Sequence, residues 1–67
     1  MNKEKLLDAI GAAQKESGRL GMPSASHWQR VVDLLEIPIV IDRHSNPMQV
    51  MMAIHAEVLK RMIKGEL

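Results

Sequence analysis

Metal binding or nucleophilic attack in this chain would have to come from His27, His44 and His55, from the carboxylates, and from Ser45 beside His44. The histidines fall on three separate segments, without the short spacing that sets two ligands on one helical face. Ser45 and His44 are neighbours in sequence, whereas a catalytic triad is defined by roles in space. The run Asp42-Arg43-His44-Ser45 reads instead as a polar turn. Gly18 and Gly21 flank Arg19 and Leu20 but lack the strand and the Lys-Ser/Thr pair of a phosphate loop. Cysteine is absent, which removes thiol chemistry, disulfides and cysteine-ligated zinc together. A chain of 67 residues leaves little room for a pocket of about 300 Å³ or more. These features predict a protein that is not an enzyme and uses no cofactor or metal.

Charge and aromatic content narrow the partners. Nine Lys and Arg stand against eight Asp and Glu, so no strong field of either sign draws a polyanion. Trp28 is the single aromatic residue, too few for a surface that stacks nucleic-acid bases. The first twenty residues are charged and periodic, unlike a secretion signal. No segment has the apolar length of a membrane span. A cytoplasmic protein without a membrane partner is expected.

The elements that position these side chains are helical, and the last of them dominates. Asn46 can cap a helix, Pro47 suits its first position, and Gln49 completes a capping-box-like pattern. Gly65 supplies the residue favoured just past a helix end, and Lys60, Arg61 and Lys64 suit the negative end of the dipole. The predicted helix over 47–64 is roughly 27 Å long. With 3.6 residues per turn, Met48, Met51, Met52, Ile54, His55, Ala56, Val58, Leu59, Met62 and Ile63 share an arc of roughly 200°. That is about twice the apolar stripe of an ordinary surface helix. His55 lies near its centre, as a core histidine bonded to a carbonyl or to a hydroxyl such as Ser17, or as a residue meeting its own copy at a two-fold axis. A pH switch or a metal ligand is the other role open to it.

Two shorter helices precede it. Over 3–17, Leu6, Ile10, Ala13, Ser17 and Leu20 form one narrow stripe. Ala9, Gly11, Ala12 and Ala13 offer a small-residue surface for close helix approach, and Gly18 should end the helix. Over 24–36, capped by Ser24 or Ser26, Trp28, Val31, Val32 and Leu35 line one face and Gln29, Arg30 and Asp33 the other. Pro38 ends this helix near Glu36. Ile37-Pro38-Ile39-Val40-Ile41 is β-branched and prefers an extended path. It could be a buried connector, a strand paired with its copy, or a loop with apolar anchors.

The sequence thus predicts an all-α fold: one small three-helix domain over 1–67, with an extended Ile-rich connector before a long C-terminal helix. A domain this small is marginal alone, and with disulfides and metal excluded, oligomerisation is the remaining support. The expected function is protein–protein interaction, as an adaptor, inhibitor or assembly subunit of the size common among phage accessory proteins. Its partners would be itself, as a homodimer, and another protein. Met48, Met51, Met52, Ile54, His55, Val58, Leu59 and Met62 are the candidate interface, with the seam along Met51, Ile54, Val58 and Met62. The alternative is a small dimeric DNA-binding regulator. Arg30, Lys60, Arg61 and Lys64 would then contact phosphates, with Gln29 and Arg30 the best base-reading candidates.

Overall fold

Asn2 begins the first helix by accepting a hydrogen bond from the Lys5 backbone N–H at 3.1 Å, which satisfies one of the donors a helix start leaves open. In the computed structural model, which describes residues 2–66, α1 spans Lys3–Leu20, α2 Ala25–Leu34 and α3 Pro47–Ile63. The described residues contain no strand.

α1 continues past Gly18, where the sequence suggested a stop, and ends at Gly21, whose φ of 70° is left-handed. An interior glycine costs a helix only about 1 kcal/mol. The last turn also gains a Glu16–Arg19 pair, which holds the Glu16 carboxyl below its usual range by hydrogen bonding. Leu6, Ala9 and Ala13 are the buried residues of α1. Ala9 and Ala13 let α2 approach closely, while Gly11 and Ala12 are exposed. A methyl group at Gly11 would meet only open space, so the small-residue surface is narrower than its composition suggested.

α2 buries the face its spacing indicated: Trp28, Val31, Val32 and Leu35 all lie in the core. Ser24 precedes the helix, but its hydroxyl pairs with His27 Nδ1 at 2.7 Å rather than capping a backbone N–H. The turn between the helices is tied down by Ser17. Its Oγ accepts from Ser24 N and from Trp28 Nε1, both at 3.1 Å.

The end of α2 is a Schellman arrangement. Ile37 N–H donates to Val32 O at 3.1 Å and Glu36 N–H to Asp33 O at 3.0 Å, leaving Glu36 at a φ of 58°. Glycine is the usual residue there, because a side chain in the left-handed region is strained. Ile37 and Val32 meet in the same apolar cluster, which supplies the hydrophobic contact this motif needs. α3 closes the same way with the residue it wants. Gly65 sits at a φ of 75°, and Glu66 N–H donates to Arg61 O at 2.8 Å.

Residues 37–42 belong to neither helix nor strand. Ile37, Ile39 and Ile41 pack on the core while Pro38 and Val40 face outward. The path is not uniformly extended: Ile39 N–H donates to Ile37 O at 2.8 Å, a three-residue γ-type turn around Pro38. Its backbone finds a partner in a side chain. Gln29 donates to Ile39 O at 3.0 Å and accepts from Ile41 N at 2.6 Å, and the same amide nitrogen is 2.9 Å from Asp33 Oδ1. One amide thereby takes up the edge along which a second strand would pair.

α3 starts as its sequence indicates, with Asn46 Oδ1 accepting from Met48 N at 3.0 Å and Pro47 at the first turn. It sends Val50 and Ile54 into the core, with Met51 and Val58 packed partly against it. The close helix pair is α1 with α2; α3 rests on that pair by one side. Because Glu36 carries the strain of a left-handed backbone, Glu36→Gly should stabilise the domain by about 0.5–1 kcal/mol despite the freer unfolded chain. A urea or thermal melt showing equal or lower stability for the variant would contradict this assignment.

Candidate functional site

Among the described residues, three surface features stand out as candidates to bind something, and each is built from recognisable parts. The first is a cleft of about 640 Å³ between the α1–α2 turn, the 41–45 loop and the start of α3. Trp28, Val50, Met51, Pro23 and Ile41 form its apolar wall. A chain this short was expected to lack room for such a volume. The cleft lies where the α1–α2 turn, the 41–45 loop and the start of α3 converge.

The polar groups of the cleft are already engaged. Ser17 holds Trp28 and Ser24. Asp42 accepts from His44 N at 2.8 Å, and Asp42 N–H donates to Ser45 Oγ at 2.9 Å. Ser45 Oγ points its hydrogen between Val40 O and Asp42 Oδ1, 3.3 Å from each. Ser45 is therefore a turn residue, bonded to Asp42 and not to the His44 ring, whose Nε2 lies 3.4 Å from Arg43 Nε. The 42–45 segment is the polar turn its composition indicated. Among the described residues, no three metal-ligating side chains come together.

The second feature is a groove of about 320 Å³ between α1 and α2, lined by Lys5, Asp8, Ala9, Ala12, His27 and Arg30. Arg30 is exposed there. The other cations named as phosphate contacts divide. Lys60 and Lys64 are exposed near the end of α3, but Arg61 is turned inward. Its Nη2 donates to Leu35 O at 2.9 Å and its Nε to Glu57 at 3.0 Å. Leu35 lies at the carbonyl end of α2, so Arg61 both satisfies a helix-end acceptor and balances the negative end of that dipole. Gln29, the other candidate base reader, is occupied by the connector. Two of the groups a nucleic-acid interface would use thus hold the fold together.

The third feature is the outer face of α3. Of the eight candidate interface residues, Ile54 is 3% exposed and belongs to the core. Met51 and Val58 are half-buried against it. The seam through Met51, Ile54, Val58 and Met62 is thereby redrawn, because three of its four members face the protein's own interior. Met48, Met52, Leu59 and Met62 are 71%, 64%, 58% and 58% exposed, and His55 lies exposed among them. His55 is not the core residue its central position suggested, and Ser17 is spent on Trp28. Val50 was missing from the candidates although it is 7% exposed. It stands four residues before Ile54 on the same side, and that spacing was the available signal.

The exposed five recur at intervals of four, three, four and three, the average of 3.5 residues that characterises a helix–helix seam. Ile63, 78% exposed, extends the apolar surface beside Met52 and Leu59 on the helical wheel. Compared with known proteins, the chain matches no family model, no curated protein and no solved structure. No helix among the described residues is long and apolar enough to cross a membrane.

The inward roles of Gln29 and Arg61 set their mutational cost. Gln29→Ala and Arg61→Ala should each lose about 1–3 kcal/mol, because each leaves part-buried backbone groups unpaired. Lys60→Ala should stay within about 0.5 kcal/mol, as surface substitutions do. Urea denaturation of the three variants checks this; a neutral Arg61→Ala would release that side chain from its structural role.

Proposed function

We propose that this protein is a small, non-enzymatic, cytoplasmic interaction module that pairs with a second copy of itself through the outer face of α3. The supporting observation is the row Met48, Met52, His55, Leu59 and Met62, exposed along one side of a helix whose other side is packed. No carboxylate, Lys or Arg lies within the row. Two copies of it can therefore meet without like-charge repulsion, and Gln49 and Lys60 come to the rim.

The area is of the right order. Met48, Met52, Leu59, Met62 and Ile63 together expose on the order of 600 Å², against the ~800 Å² per partner of a standard interface. His55, Ala56 and the rim residues narrow that difference. The apolar patch sits at the top of the range found for the largest patch of a typical monomer, a size that is often functional. Methionine suits the role, being flexible and polarisable enough to adapt to an imperfectly matched surface. A small domain with few buried residues also gains most from being completed by its copy. As a dimer, the protein would turn the Trp28 cleft and the α1–α2 groove outward in two copies, available to a larger protein on which it acts as adaptor, inhibitor or assembly subunit.

DNA binding makes opposite demands. It requires duplex affinity that falls steeply as salt rises, whereas apolar pairing of α3 persists or strengthens in salting-out conditions. Leu59→Glu and Met52→Glu should abolish the dimer by at least tenfold in dissociation constant while leaving the melting temperature of the monomer nearly unchanged, since both sites are exposed. Light scattering with circular dichroism tests this. Dimers of undiminished affinity in both variants, or a steep salt-dependent duplex isotherm for the parent, would overturn the reading.

A further inference from the structure

We infer that pairing through α3 is gated by pH, with His55 as the group whose protonation opens it. The inference rests on the self-association proposed above and concerns its regulation. His55 occupies the middle of the exposed row, seven positions after Met48 and seven before Met62. When two such rows meet about a two-fold axis near their centre, the two imidazoles come together at the place most withdrawn from water.

The surroundings of His55 offer a proton nothing to pair with. One turn before it are Met51 and Met52, and one turn after it Val58 and Leu59; all four are apolar, with Met51 and Val58 half-buried on the inner side. His55 is exposed. The nearest carboxylate in sequence, Glu57, lies about 160° round the helix and is engaged by Arg61; Glu66 lies toward the same arginine. Lys60 lies about 140° round the helix from His55, and Lys64, just past its end, about 180°, so neither stands beside the ring. The second copy brings the same set. A neutral imidazole pair fits this seam, one ring donating and the other accepting. Two imidazolium groups there would be desolvated, would repel each other, and would have no anion nearby.

Linkage fixes the sign. If the separated protomer binds a proton that the pair excludes, association weakens as pH falls. His27, half-buried and bonded to Ser24, and His44, on the 42–45 turn, lie off the seam. Replacing them separates their contribution.

Sedimentation equilibrium of the full chain at pH 7.5, 6.5 and 5.5, beside His55→Leu, His55→Gln and the double variant His27→Gln/His44→Gln, tests the inference. The parent and the double variant should show dissociation constants that rise at least tenfold between pH 7.5 and 5.5. Both His55 variants should change by less than about threefold. A parent dimer equally tight at both pH values would overturn the gate while leaving the pairing intact. A pH response that survives in the His55 variants would do the same. A chain that stays monomeric at pH 7.5 up to millimolar concentration would overturn the pairing itself, and the gate with it.

Discussion

A scarcity of buried apolar surface governs this protein. The core consists of Leu6, Ala9, Ala13, Trp28, Val31, Val32, Leu35, Val50 and Ile54, supplied mostly by the α1–α2 pair. Two of its members, Ala9 and Ala13, contribute little area and serve instead to bring α2 close. What remains can cover one side of a seventeen-residue α3 and no more. Every other feature of the molecule follows from how that side is chosen. Val50 and Ile54 go inward, Met51 and Val58 lie at the edge, and the row from Met48 to Met62 is left in water.

Polar side chains do the work that a larger core would otherwise do. Ser17 ties the end of α1 to Trp28 and to the turn, so the largest side chain of the core keeps its indole N–H satisfied while its ring is buried. Gln29 gives a lone apolar segment the donor and acceptor that a neighbouring strand would have given. Arg61 spans from α3 to the carbonyl end of α2 and is itself braced by Glu57. These three bonds join α1 to α2, α2 to the connector, and α2 to α3. Among the described residues no buried side-chain nitrogen or oxygen is left without a partner, which a small domain needs because one unpaired buried group can cost about 1–3 kcal/mol of a slender total.

Much of this was legible in the sequence, and the exceptions have physical causes. The three helices, the Asn46–Pro47 start, the Gly65 stop and the buried face of α2 all follow from local rules: capping chemistry, proline geometry and a 3.6-residue period. The stop of α1 was misplaced at Gly18 because an interior glycine and a terminal one look alike until the chain's left-handed residue is seen to be Gly21. The roles of Gln29 and Arg61 were hidden because both depend on partners ten and twenty-six residues away. From sequence alone, each looked like a solvent-facing polar group free to touch a ligand. The excess width of the apolar arc on α3 was visible, but periodicity gives a width and not an inner edge. Val50, at the margin of that arc, decides the inner edge, and with it which methionines are left outside.

The face of α3 used for pairing is open to direct observation. A dimer made from isotope-labelled and unlabelled chains, examined by isotope-filtered nuclear Overhauser spectroscopy at neutral pH, reports contacts between protomers alone. Cross-protomer signals are expected from the methyl groups of Met48, Met52, Leu59 and Met62 and from the His55 ring, and none from Val50, Ile54 or Val31. Intermolecular signals arising from the Trp28 cleft or the α1–α2 groove, or none at millimolar concentration, would contradict pairing through α3.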